Sequence, residues 1–237
     1  MYNYFVGVDL GQAQDYTAVS ILHRRELAGP QIVALGDYKP EMDVEGSIMD
    51  VFDLVHLERF PLDTSYCDIV DRLGRLLHAP ELQGRRTVLV VDQTGPGRPV
   101  TDMIKAGRFG PLVSITITGG LAVNQTADGF NVPKRDLVSV LQLMLQSGRL
   151  GISAALPDAD LLLDEILNFK TKVRPRDGEE EYGVWREGVH DDMVLATAIA
   201  LWYASRSSPS GKRPIPGSEP PPWDPLRYGQ EFGKERT

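Results

Sequence analysis

Two short runs, FVGVD from Phe5 to Asp9 and VLVVD from Val88 to Asp92, constrain this chain more than any other feature. Each is almost wholly apolar and lacks the alternation of a strand that shows one face to water. Such runs belong inside a sheet covered on both faces, which requires helices above and below it. Each also ends on an aspartate and passes into a turn, GQAQ in the first case and QTGPG in the second. A strand-terminal aspartate often does no more than bond the amides of the turn after it. Two interior strands ending alike point further, because sites gather at the carboxyl ends of sheet strands in α/β folds.

The remaining pattern fits that class. Tyr16 to Leu22 is rich in Thr, Val and Ile and predicts a hairpin partner for the first strand. Gln31 to Tyr38 and Asp53 to Phe60 read as further extended segments, with KPEMDVEGSIMD between them as a loop. Ile69, Leu73, Leu76 and Leu77 fall at helical spacing within Ser65 to His78. VTDMIKAG predicts a short helix, LVSITIT from Leu112 to Thr118 a strand, and GGLAVNQTADGFN a loop. Pro133 opens a helix that Gly148 closes, and Pro157 to Lys170 predicts another. KVRPRDGEEEYGVW reads as a hairpin or loop, and HDDMVLATAIALWYAS as the last helix. The chain therefore divides into one folded domain over 1–205 and a Pro-, Gly- and Ser-rich tail over 206–237 with too few apolar groups to pack.

The third notable stretch is HDDMVLATAIALW. Asp191 and Asp192 open a predicted helix, where one acid is explained by capping and by the positive end of the helix dipole. Two adjacent acids exceed what a cap needs. Ala196, Ile199 and Ala200 follow Asp192 on one face, and Ala196 is small enough to let the helix lie close to a sheet. That packing would bring Asp192 beside the ends of the two aspartate-terminated strands. Carboxylates converging there without basic neighbours would repel one another and resist ionisation unless a cation joined them. Mg²⁺ or Mn²⁺ suits an all-oxygen set. Two such ions ~3.5–4 Å apart can activate a water and stabilise the leaving oxygen of a phosphodiester.

Composition removes several alternatives. The net charge of −8 gives no global basic field for nucleic acid, so any such contact needs a local patch. Cys67 is the single cysteine, which excludes an internal disulfide and a cysteine-based zinc site. MYNYFVGVDLG lacks the pattern of a secretory leader, and the longest apolar stretch, MVLATAIALWYA, is too short to span a bilayer. A cytoplasmic protein without a membrane role is expected.

Taken in order, FVGVDLGQAQDYTAVSIL, TVLVVDQTGPGRPVTDMI, VPKRDLVSVLQLMLQSGRLGI and HDDMVLATAIALW resemble the nuclease domain of phage large terminases, within the ribonuclease H-like superfamily. The resemblance implies a central mixed β-sheet flanked by helices, with the first strands antiparallel and the later ones parallel. It implies a metal-dependent endonuclease that cuts double-stranded DNA during genome packaging, using two Mg²⁺ or Mn²⁺ ions. By position, Asp9, Asp92 and Asp192 would hold metal, with Asp191 as a fourth candidate. His190 also matches but stays outside the main set, since a lone histidine before a helix is more often structural or a local hydrogen-bond partner. The expected partners are DNA, a separate terminase ATPase subunit, the small terminase and the portal. The chain departs from whole packaging terminases in having no GxxxxGKS/T phosphate loop, so it cannot translocate DNA by itself.

Local basic residues offer candidate DNA contacts. Lys134 and Arg135 fall in the first turn of a predicted helix, where free amides favour a phosphate. Lys170, Lys172, Arg174 and Arg176 form a second cluster. Three other readings compete. An actin-like-superfamily small-molecule kinase would explain DLGQAQDYT and VVDQTGPG as phosphate loops, but not the late HDD. A junction resolvase or transposase-like recombinase would use the same acids. A non-catalytic assembly module would need none of them.

Overall fold

The computed structural model describes residues 2–11, 15–28, 48–95, 97–173, 180–183 and 190–207. The two aspartate-terminated runs are β1 (Tyr4–Asp9) and β4 (Thr87–Asp92), and they pair in parallel at the middle of an eight-stranded mixed sheet. β2 (Ala18–Ala28) and β3 (Ile48–Arg59) extend the sheet from β1 as antiparallel neighbours. On the other side β5 (Leu112–Thr118) and β7 (Gly129–Pro133) continue it in parallel, with β6 (Asn124–Gln125) at the edge. β8 (Leu150–Ile152) closes the opposite edge beside β3. The early strands are thus antiparallel and the later ones parallel, except the edge strand β6, which pairs antiparallel with β7.

Alternation along β1 and β4 builds two cores. Val6, Val8, Leu89 and Val91 face α1 (Tyr66–Leu77) and α2 (Gly97–Gly107), where Leu73, Val100 and Ile104 are buried. Phe5, Val88 and Val90 face the other way, against α3 (Lys134–Gln146), α4 (Ala159–Asn168) and α5 (Asp192–Arg206). α5 is buried from Asp192 through Trp202, because it lies between the sheet and the helices α3 and α4. Truncating its fully buried Trp202 to alanine would cost about 3–5 kcal/mol.

Small residues set how closely α5 approaches. A Cβ added at Gly7 would lie 2.0 Å from the Ala196 carbonyl oxygen and 2.9 Å from the Ala200 Cβ. Ser20 Oγ donates to that same carbonyl at 3.0 Å. The expected alanine face therefore seats the helix directly on the first strand, and any side chain at position 7 would push it off.

Several expectations need correction. The segment expected as a loop, GGLAVNQTADGFN, contributes β6 and most of β7. Phe130 and Val132 share one face of β7, and Phe130 meets Trp202 edge-on at 5.3 Å between ring centroids. Its Gly129 lies so close to Ser114 that an added Cβ would stand 1.8 Å from that carbonyl. The open edge of β5 thus outweighs the local turn preference. β3 starts at Ile48, inside the expected KPEMDVEGSIMD loop, because β2 runs on to Ala28 and offers it an edge. β9 (Lys170–Val173) and β10 (Glu180–Gly183) form the hairpin expected there. α5 reaches Arg206, where the tail was expected to begin. The extended segment expected at Gln31–Tyr38, Arg174, Arg176 and positions 208–237 lie outside the described residues.

A candidate acidic site

Strand parity alone sends both strand-terminal aspartates to one face. Asp9 shares its side of β1 with Phe5 and Gly7, and Asp92 shares its side of β4 with Val88 and Val90. Both sides face α5. The two acids stand one step beyond the paired Val8 and Val91. α5 carries the third element to the same end. Asp192 precedes Ala196 by one turn, about 6 Å of helix, and Asp9 follows Gly7 by two residues, about 6.6 Å of strand. With Ala196 on Gly7, the two rises match, so Asp192 stands above Asp9. Asp9, Asp92 and Asp192 are 9 %, 8 % and 5 % exposed.

The two turns use their acids differently. Asp92 Oδ1 accepts from the Thr94 amide at 2.8 Å and from Thr94 Oγ1 at 2.5 Å. Thr94 Oγ1 in turn accepts from the Ile117 amide at 2.8 Å. Asp92 therefore does hold its turn, and its rotamer is fixed by doing so. After β1, the Gly11 amide is taken by Thr17 Oγ1 at 3.1 Å and not by Asp9.

Helix capping accounts for neither Asp191 nor Asp192. Asp191 occupies the N-cap position but its side chain makes no capping bond. Its Oδ2 accepts instead from Lys134 Nζ at 2.7 Å. The amides of Met193 and Val194 both donate to Glu165 Oε2, at 3.0 Å each. Glu165 Oε1 pairs with Arg59 Nη2, which also lies 3.3 Å from Asp192 Oδ2. The Arg59 guanidinium rests over the Tyr16 ring, 4.7 Å from its centroid, and Tyr16 meets His190 edge-on. Asp192 Oδ2 is buried without a hydrogen-bond partner.

Burial raises Asp9, Asp92 and Asp192 above the ordinary carboxylate range, and neighbouring carboxylate charges add to the rise of Asp9 and Asp192. Asp9 is pushed well up, first by burial and then by the charges of Asp92, Asp192 and Asp191, with Lys134 opposing. Burial raises Asp92, offset by its bonds to Thr94. Asp192 rises to about 7, again chiefly through burial, against the pull of Arg59. The cluster is not free of basic neighbours, as the sequence suggested. Lys134 and Arg59 arrive from remote segments and each neutralises part of it.

Of the candidate DNA contacts, Lys134 turns into the acidic cluster. Arg135 donates to the Leu121 carbonyl at 2.6 Å, and Lys170 and Lys172 fall on β9. Arg59, Glu165 and Thr94 were missed. Glu165 left one trace, an acid on the apolar face of α4 between Leu162 and Ile166. Arg59, at the end of a strand, left none.

The donor set has the chemistry of a hard-cation site: carboxylate oxygens, one of them buried without a hydrogen bond and ion-paired only at 3.3 Å. Among the described residues, no three His, Cys, Asp or Glu side chains are gathered tightly enough to hold an ion as they stand. Two of the four acids are turned to Lys134 and Arg59 in this arrangement.

Compared by sequence, the chain matches no family model and no curated protein. Among solved structures it is similar to the large terminase nuclease of the thermophilic phage G20c. The two are 23 % identical over 83 % of this chain and 80 % of that one, with a TM-score of 0.51. The nuclease domain of the large terminase of bacteriophage SPP1, solved with bound Mn, is 12 % identical over 85 % and 86 %, with a TM-score of 0.42. RuvC of Thermus thermophilus is 14 % identical over 86 % and 97 %, with a TM-score of 0.36. The likeness to the G20c structure is one of fold, a ribonuclease H-like α/β sheet flanked by helices. No described helix is long and apolar enough to cross a membrane.

Proposed function

We propose that this chain is a divalent-metal-dependent endonuclease that cuts double-stranded DNA, with Asp9, Asp92, Asp191 and Asp192 as the residues that hold Mg²⁺ or Mn²⁺. One observation carries the reading. Four acids from three remote segments lie near the carboxyl end of the central strands, close enough for their charges to add to burial in raising Asp9, and Asp192 Oδ2, ion-paired with Arg59 at 3.3 Å, has no hydrogen bond. Such a cost is tolerated where a ligand relieves it. A pair of ions held there would supply a Lewis acid for the phosphate and a water acidic enough to attack it.

The chain's own residues prepare that site. Thr94 fixes the Asp92 rotamer through two bonds to Oδ1. Lys134 holds Asp191 and lowers the cost of ionising Asp9 and Asp92. With a cation held there, the Lys134 ammonium would be free to meet a DNA phosphate at the helix start, where the helix amides would add to the attraction. The kinase reading has less support, because the Thr94 amide and hydroxyl that a phosphate loop would offer both bond Asp92.

The likeness to the G20c terminase nuclease favours a role in cutting phage genomes during packaging, beside a separate ATPase subunit, the small terminase and the portal. The folded domain of this reading includes all of α5, to Arg206. The test is cleavage of supercoiled, linear and branched DNA and of an RNA–DNA hybrid, with Mn²⁺ or Mg²⁺ and with excess chelator. Metal-dependent cutting of duplex DNA that chelator stops is expected. Preference for the branched substrate would move the reading to a junction resolvase, and full activity in chelator would end the metal mechanism.

A further inference from the structure

We infer that Glu165 is a positioning residue: it caps α5 from a neighbouring helix and so leaves Asp191 and Asp192 available to a cation. The inference rests on the proposed metal-dependent nuclease. A helix leaves its first amides without partners inside the helix, and the usual remedy is the side chain at the N-cap. In α5 that residue is Asp191, which makes no such bond. Glu165 supplies it instead, taking the Met193 and Val194 amides at 3.0 Å each on Oε2. Were it absent, those amides and the positive helix end would draw in the nearest acids, which are Asp191 and Asp192.

The other oxygen acts on the same acids by a second route. Oε1 engages Arg59, which also reaches Asp192 Oδ2 at 3.3 Å without making a hydrogen bond to it. Glu165 thus shares the guanidinium and keeps it from closing fully on Asp192. Both oxygens of Glu165 are committed, and its side chain is 3 % exposed, so Glu165 itself is unsuited to be a ligand. It removes two competitors, a helix end and an arginine, from carboxylates that a cation must use.

Glu165→Gln tests this. The amide keeps one oxygen for α5 but presents N–H groups to Arg59. Residues that support metal ligands typically change affinity by about 10–100-fold. Mn²⁺ binding, read from the spin-resonance signal of free Mn²⁺, is expected to weaken by roughly that factor. Half-saturating Mn²⁺ for plasmid cleavage should rise in parallel, with KM for DNA unchanged and cleavage restored at high Mn²⁺. Glu165→Asp, which keeps the charge but is too short for both contacts, should shift binding in the same direction and serves if the glutamine variant does not fold. A folded variant that melts earlier yet binds Mn²⁺ like wild type overturns the inference and leaves the nuclease reading intact. Wild-type protein that binds no Mn²⁺ overturns that reading, and the inference with it.

Discussion

Two sets of acids lie close to the end of β3 and meet opposite fates. Glu58, half-buried, is gripped by Arg72 through three hydrogen bonds of 3.0–3.1 Å and touched by His56 Nε2 at 3.2 Å. Burial pushes its pKa up, but those partners more than offset this and leave it lowered. Across Arg59, Asp192 is buried deeper and rises to about 7, while Asp9 and Asp92 rise beside it. The Glu58 set is satisfied by its own protein. The Asp192 set is only partly so, and the folded chain is less stable for keeping it. What separates structural from functional carboxylates here is the balance of partners, since both sets are acids at strand and helix ends.

The sharpest way to break this contrast is Asp92→Ala. A metal site supplies several kcal/mol of charge stabilisation, so cleavage should fall roughly 10³-fold or more. The melting temperature of the metal-free protein should not fall greatly, because repulsion is relieved as the Thr94 bonds are lost. A large loss of stability with little loss of cleavage would make Asp92 another structural acid like Glu58.

Metal itself should act on one set only. Ligand at about 100 times its Kd stabilises a fold by about 2.7 kcal/mol. Saturating Mn²⁺ should therefore raise the melting temperature of wild type and of Glu58→Gln alike, and leave that of Asp92→Ala nearly unmoved. Differential scanning fluorimetry with and without chelator reads this directly.

Acidity should separate the two sets by sign. For Asp192 the folded protein keeps a proton that the unfolded chain releases near pH 4. Its contribution to stability therefore declines as pH rises from there through about 7. Metal-free wild type should lose more stability between pH 5 and pH 8 than Asp192→Asn does. Glu58 behaves in reverse, because its lowered pKa stabilises the fold above the unfolded value and is lost as pH falls through the folded one. Glu58→Gln should cost at most about 1 kcal/mol near neutral pH, as expected of a partly solvated pair, and less in acid. Equal pH slopes in the two variants would remove the distinction.

Much of this frame was legible in the residues. The continuous apolar runs require a sheet covered on both faces, and strand parity then sets Asp9 and Asp92 on one side. The alanines of α5 mark the face that sits on Gly7, which brings Asp192 to both. The partners of the acids were not legible. Arg59 and Glu165 are 106 positions apart and meet only through the packing of α4 and β3 around α5. Nor could local propensity reveal β6 and β7, whose turn-rich residues become strands because β5 has an open edge. The same limit hid the role of Lys134: its place at a helix start suggested a phosphate, while the fold turns it to Asp191.

The most direct test is anomalous scattering from crystals of the wild-type protein soaked in Mn²⁺. Peaks bounded by the carboxylates of Asp9, Asp92 and the Asp191–Asp192 pair are predicted, with Lys134 drawn off Asp191. Manganese bound only elsewhere, or none at these acids at saturating concentration, would contradict the proposal that they converge to hold it.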